Sequence, residues 1–466
     1  MGANWVVIGA SVAYMVALAI VSFGARRYAR TAKSFTTGGV TYPAVFIGFM
    51  LMSEFIGTTA SVGTAQQAYI SGVSAAWNVV VLGIGFLLYS LLLARKFNES
   101  GENTISGALA RVYGNKVKLA TSVIMICALQ IVAISTYGSG GAVLAPLLSV
   151  SRTTAIIITG FVAVLYVSLG GMRSVIYTNV IHAMLKYFGI MIALVFAASM
   201  AGGVERIVDV SPSKMFSLSG VGWSQIFAWL VAGVGAVFST QYVVQAISTV
   251  PDGAKATRAS FYAAILLIPF GVAAALVGVA ASVAFPGIKP IQAFPEVIAN
   301  MGNLSASIVV AGLAGSLFGT ISALSIGTAT LIYKDFYLPI TGKSGEDGSS
   351  LTFVRIATII VGLLPIPLAI MSTEIVAVTF LAKSLRASLA ILVLLVFYAP
   401  KFGTSTGALV SIILSLLGTI GWYLAGNPFG VDNAYIAAII PIVVMTISHF
   451  VRGPVVENKM DPVAVK

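Results

Sequence analysis

The chain of 466 residues is 58% hydrophobic and 9% charged, with a mean hydropathy of +1.01, against roughly 45–50% apolar and about 25% charged residues in ordinary globular domains. That balance excludes a disordered chain, a single Cys127 excludes a disulfide scaffold, and what remains is an integral membrane protein without a sizeable soluble domain. The net charge of +12 is read as charge on cytoplasmic loops and not as a nucleic-acid surface.

Apolar runs of about 18 residues or more, long enough to cross a bilayer, fall near 3–23, 41–64, 73–94, 119–146, 153–171, 177–201, 223–249, 259–285, 303–333, 351–371, 373–398, 404–425 and 432–451. They predict an all-α integral membrane protein of about 13 transmembrane helices. An odd number puts the termini on opposite sides. The first run has no basic segment before it and no convincing cleavage site after it, so it is read as a retained helix.

Loop charge sets the orientation. Arg26, Arg27, Arg30 and Lys33 follow the first run, and Arg95, Lys96, Arg111, Lys116 and Lys118 follow the third. Arg173, Lys255, Arg258, Lys334, Lys343, Arg355, Lys401, Arg452, Lys459 and Lys466 fall on the same side. Arg152, Arg206, Lys214 and Lys289 fall on the other. The expectation is a multi-pass protein of the inner (plasma) membrane, N-terminus outside and C-terminus in the cytoplasm.

Glycine and proline interrupt several runs: Gly57 and Gly63, Gly233 and Gly235, Gly315 and Gly319, Pro365 and Pro367. Small residues can simply let helices approach closely. They can also mark broken helices whose freed backbone groups line a cavity at the membrane midplane. The second and seventh runs are five apart, which fits two five-helix repeats with discontinuous first and sixth core helices. Residues 1–40 are then a peripheral helix and loop, 41–201 and 202–400 the two inverted repeats, and 401–466 peripheral helices with a short cytoplasmic tail.

An ionisable residue deep in a membrane run is expensive, at least about 2.5–3.5 kcal/mol on insertion scales, and points to function. Glu54, His182, Lys186, Lys383 and Arg386 are so placed. Lys383 and Arg386, three apart, share a helix face and offer positive potential to an anionic solute, a carboxylate above all. The plainer alternative pairs one of them with Glu54 or with backbone carbonyls. Lys186, next to Tyr187, lies about nine residues into its run, too deep for a flanking anchor although snorkelling is the alternative; a desolvated lysine there can exchange a proton during a cycle. His182 sits one turn earlier on a similar face, where a lone helical histidine is more often a hydrogen-bonded packing residue.

No HExxH, CxxC or phosphate-binding loop is present, and no nucleophile or acidic pair supports enzyme chemistry. The chain is not expected to be an enzyme or an ATP-driven pump, and no cofactor is implied.

Several stretches resemble the sodium:solute symporter family, which includes bacterial proline, galactose and sialic acid symporters. The likeness runs from about Ser34 to Tyr337: Lys33-Ser34-Phe35 with Gly38-Gly39 and Pro43; Thr104 through Leu109 with Arg111 and Gly114; YVSLGGMRSVIYTNVIH from Tyr166 to His182; QYVVQ from Gln241 to Gln245; and, most specific, GSLFGTISALSIGTATLIYKDFY from Gly315 to Tyr337. The resemblance implies a sodium ion held between the unwound first core helix and the ninth run, with carbonyls at Ser53, Ile56 and Ser316. Its two hydroxyl positions fall on Gly319 and Thr320. The family's Thr-Asp pair is Thr178-Asn179 here, its following glutamine is His182, and Ala323 removes a further oxygen. The tyrosine and asparagine of sugar-transporting members fall on Ala236 and Gly233, so a small acid or zwitterion is expected over a sugar.

The combined expectation is a secondary active transporter that symports a small organic solute with Na+ by alternating access. Its candidate walls are Ser53–Gly57, Gly233–Gln241 and Lys383–Arg386. Ser53, Ile56, Ser316 and Thr320 are assigned to sodium; Glu54, Gln241, Lys383 and Arg386 to the solute; Asn179, His182 and Lys186 to coupling. The partners expected are a small molecule and the lipid bilayer, with no nucleic acid and no obligatory protein. The alternatives are proton-coupled or sodium-independent transport with Lys186 in place of the ion, a membrane solute sensor, and, third, a channel.

Overall fold

A polar backbone can cross hydrocarbon only if each segment satisfies its own hydrogen bonds, and among the described residues all regular structure is helical. The computed structural model describes residues 5–343, 348–371 and 375–452. Residues 453–466, which hold the expected cytoplasmic tail, lie outside the described residues. In chain order the helices are α1 (Trp5–Arg26), α2 (Ala32–Thr37), α3 (Ala44–Phe55), α4 (Thr64–Ser71), α5 (Trp77–Leu92), α6 (Ala94–Ser100), α7 (Ile105–Tyr113), α8 (Asn115–Leu148), α9 (Arg152–Met200), α10 (Val204–Val210), α11 (Trp223–Ser239), α12 (Gln241–Ile247), α13 (Gly253–Ala284), α14 (Ala293–Ala299), α15 (Asn303–Leu331), α16 (Leu338–Thr341), α17 (Gly348–Leu363), α18 (Pro365–Met371), α19 (Ile375–Tyr398), α20 (Ser405–Leu424) and α21 (Asn433–Arg452).

Ten long apolar stretches, a bent pair made of α11 and α12, and the two shorter pieces Ala44–Phe55 and Arg152–Leu165 account for the predicted spans. Ala44–Phe55 is short because it is half of an interrupted span. The stretch Thr59–Leu92 holds its second half and the next span, divided where Gly72 turns with φ +71°. The assigned helix α9 is likewise two helices, since Gly171 sits at φ +58° within it. Only glycine fits there: a Cβ would lie 2.6 Å from the Phe35 carbonyl oxygen. The separate runs near 153–171 and 177–201 are thus both present.

Two spans break, five apart. After Phe55 the residues Ile56 (φ −93°, ψ 71°) and Gly57 leave the helix, and a π turn over Thr59–Gly63 leads into α4. After Ser239, Thr240 is extended (φ −71°, ψ 130°) and the axis bends by 46° into α12. The second break lies at Thr240 and not at the glycines. Gly233 and Gly235 are inside an unbroken α11, where added Cβ atoms would lie 2.6 Å from Val81 Cγ2 and 2.4 Å from Ala387 Cα. They serve close helix packing, as Gly315 and Gly319 do in α15.

Helix α15 packs along α9, α13 along α3 and α5, and α11 along α19, with α20 and α21 packed together on the outside. Polar caps fix the helix starts. Asp252 caps α13 by accepting the Lys255 backbone N–H at 2.8 Å, and its carboxylate also lies 2.9 Å from Lys255 Nζ. Hydrogen bonds from Lys255 hold the Asp252 carboxyl below its ordinary value of 3.8. The resulting stabilisation is complete above the unfolded value and is lost as pH falls through the lowered folded one. Asp252→Ala should therefore lower the thermal midpoint slightly at neutral pH and flatten the acid limb of a stability–pH profile, measured by a tryptophan-fluorescence melt.

Candidate functional site

A small cavity lies where the two breaks face each other. The α3 break supplies Glu54, Gly57 and Thr59; α5 supplies Asn78; α12 supplies Tyr242; α19 supplies Lys383 and Arg386. A larger polar vestibule opens beyond it, lined by Gln66, Gln67, Gln225 and Asp432. Trp229 and Phe380 stack between the two, ring centroids 5.1 Å apart, and the Lys383 ammonium sits 4.0 Å from the Phe380 centroid on the cavity side.

The two α19 cations are held very differently. Arg386 donates from Nε to the Ala382 carbonyl at 3.1 Å and from its guanidinium to Thr240 Oγ1 at 2.7 Å. The Ser239 hydroxyl returns a bond to the Arg386 carbonyl at 2.6 Å. The guanidinium therefore braces the α11–α12 break from the cavity wall. Lys383 has only long contacts, 3.3 and 3.4 Å to Asn78 Oδ1 and the Asn78 carbonyl. Carbonyls and hydroxyls answer these charges; among the described residues no ion pair joins either cation to Glu54.

On the other face of the α3 break, Ser53, Asn179 and Lys186 meet. Lys186 Nζ donates to the Ser53 carbonyl at 2.6 Å and to its hydroxyl at 2.9 Å; that hydroxyl donates to Asn179 Oδ1 at 2.7 Å. The ammonium thus rests on one of the carbonyls expected to hold a sodium ion. Ile56 lies in the break itself, Ser316 borders a small void with Lys186, and Thr320 Oγ1 donates to the Glu54 carbonyl at 3.2 Å. Gly319 carries no hydroxyl because Asn179 and His182 fill its space: a Cβ would lie 2.5 Å from Asn179 Oδ1. His182 Nδ1 is 2.5 Å from the Tyr14 hydroxyl of α1, which makes it a link to the peripheral helix.

Gln241, expected among the solute ligands, has both ends of its amide on backbone groups. Its Oε1 accepts the Ile105 N–H at 3.0 Å and its Nε2 donates to the Asn103 carbonyl at 3.0 Å. Both ends of the amide clamp α12 to the start of α7. Nearby, Gln245 donates to the Thr36 carbonyl. The buried Asp335 carboxylate lies 3.1 Å from Lys118 Nζ and accepts from Ser106 at 2.5 Å and from Ser122. These buried bonds tie this end of the molecule together.

The sequence profile of the Sodium:solute symporter family matches residues 35–415. The chain belongs to the sodium:solute symporter family. The match extends past Tyr337, beyond the stretch that carries the resemblance in the sequence motifs. The chain is 24% identical to a monocarboxylic acid transporter of Corynebacterium glutamicum, over 83% of this chain and 77% of that one. It is also 24% identical to YwcA, an uncharacterised symporter of Bacillus subtilis, over 88% and 85%. Its fold matches the substrate-bound outward-open structure of a Na+-coupled sialic acid symporter, with TM-score 0.81 and 18% identity over 96% of this chain and 98% of that one.

The protein is accordingly a multi-pass membrane symporter for a small organic solute, with the interrupted-helix core of its family, and the proteins it resembles are transporters. Tyr242, Asn78 and Thr59 line the cavity and were not among the expected ligands. Their neutral side chains cost too little in a membrane helix to stand out, although Tyr242 belongs to the QYVVQ motif.

Proposed function

We propose that this symporter takes up a small organic carboxylate, as a monoanion or a zwitterion, at the cavity between the two breaks, driven by the sodium gradient. The observation that carries the reading is Lys383: buried, facing the cavity, and without a carboxylate partner among the described residues. The relative named for monocarboxylic acids supports it. Ser53, Ile56, Ser316 and Thr320 are the proposed sodium oxygens, with Asn179, His182 and Lys186 coupling that site to the rest of α9. Arg386 braces the break, and Gln241 belongs to the closing clamp.

The solute enters from the vestibule, which faces the outside if the N-terminus is outside and the basic loops are in the cytoplasm of the plasma membrane. Contacts of Arg173 with Tyr28, Lys96 with Tyr398 and Arg355 with the Ala29 carbonyl support one basic end. A membrane potential adds about 2.3 kcal/mol per charge per 100 mV, near fiftyfold accumulation.

A second reading has its own observation: the Lys186 ammonium already occupies the Ser53 carbonyl, so a protonated lysine can stand for the ion and the cycle runs on protons. Reconstituted protein in liposomes separates the two. Uptake of labelled monocarboxylates or amino acids should rise at least tenfold under an inward sodium gradient; uptake indifferent to sodium and raised by a proton gradient overturns sodium coupling.

A further inference from the structure

The cavity wall holds a further ionisable group, Glu54, whose oxygens have no hydrogen-bond partner although Lys186 is close enough to act on its charge. Glu54 is 2% exposed. It is the acidic residue among the described cavity-lining residues, and it pairs with neither Lys383 nor Arg386 across the same space. Its backbone is fixed, since Thr320 Oγ1 donates to the Glu54 carbonyl. Buried polar groups in folded proteins nearly always have partners, and an unpaired buried carboxylate is costly. A solute that brings a donor cancels that cost on binding.

We propose that the solute is an α-amino-acid-like zwitterion, with its carboxylate at Lys383 and its ammonium at Glu54. The proposal rests on the carboxylate reading above and names the second pole. Two cations, Lys383 and Arg386, and one carboxyl group without a hydrogen-bond partner line one small cavity, so the complementary ligand carries a carboxylate and, on the same carbon, a hydrogen-bond donor. Arg386 gives two of its five N–H donors to Thr240 and Ala382 and stands beside Lys383 in the cavity lining, so both cations face the carboxylate. A monoanion without a donor leaves Glu54 unpaired, and sites built to bond an N–H or O–H group discriminate strongly against analogues that lack it.

The test uses three solutes of nearly equal size, propionate, L-lactate and L-alanine, which place a hydrogen, a hydroxyl and an ammonium on the same carbon. Their apparent affinities are read as ligand-induced thermal shifts of the full-length protein in lipid nanodiscs with sodium present. L-alanine should bind about a hundredfold more tightly than propionate, with L-lactate between, and Glu54→Gln should bring the three within about threefold. The wild-type series decides the matter even if the variant fails to fold. Propionate bound as tightly as L-alanine overturns the zwitterion while leaving the carboxylate reading in place; no shift with any of the three overturns both.

Discussion

Lys383→Met should weaken carboxylate binding by about 2–5 kcal/mol, the range found when one partner of a buried charge pair is truncated, which is at least about 30-fold in Kd. Methionine keeps an unbranched stem against Phe380 and removes the ammonium, so the helix keeps its packing. Arg386→Ala should behave differently. It frees the Thr240 hydroxyl and the Ala382 carbonyl from the guanidinium, loosens the α11–α12 break, and lowers the unfolding midpoint along with binding. Equilibrium binding of a labelled solute beside a thermal melt separates the two variants. A folded Lys383→Met protein with wild-type affinity would show that the anion binds elsewhere.

Lys186→Met tests the ion position. The wild-type ammonium donates to both Ser53 oxygens, and its removal leaves that carbonyl free for a cation. Sodium should then stabilise the variant more than it stabilises the wild type. At a hundredfold excess over Kd the gain approaches about 2.7 kcal/mol. Melts in sodium against potassium or choline chloride give the measurement. Equal midpoints in all three salts would mean that the Ser53 carbonyl is not part of a sodium site.

Hydropathy made the membrane helices legible because twenty apolar residues in a row have few other uses. The breaks were legible to different degrees. Ser53–Gly57 contains a glycine at the interruption itself, whereas Gly233 and Gly235 pack against Val81 and Ala387 while the chain bends at Thr240. In one dimension a glycine that admits a neighbour looks the same as one that ends a helix. The buried charges announced themselves through their cost, and Glu54, Lys383 and Arg386 do line one cavity. Their roles were not legible, because a role depends on partners far away along the chain. Arg386 meets Thr240, Lys186 meets Ser53, and Gln241 meets Asn103 and Ile105. A glutamine beside a break reads as a ligand until the loop that engages both ends of its amide is folded against it.

The aromatic stack of Trp229 on Phe380 and the clamp at Gln241, Gln245 and Asp335 differ in kind. The first is a stacked pair of rings, with the Lys383 ammonium over one of them, held by ring contact. The second is a set of buried hydrogen bonds and an ion pair, whose opening exposes several polar groups at once. Simultaneous opening of both would turn the protein into a leak that dissipates the gradient it lives on. If these two contacts are the doors of the cycle, their unequal cost makes the aromatic one the easy, frequent opening and the hydrogen-bonded one the rare event, which keeps the two from standing open together.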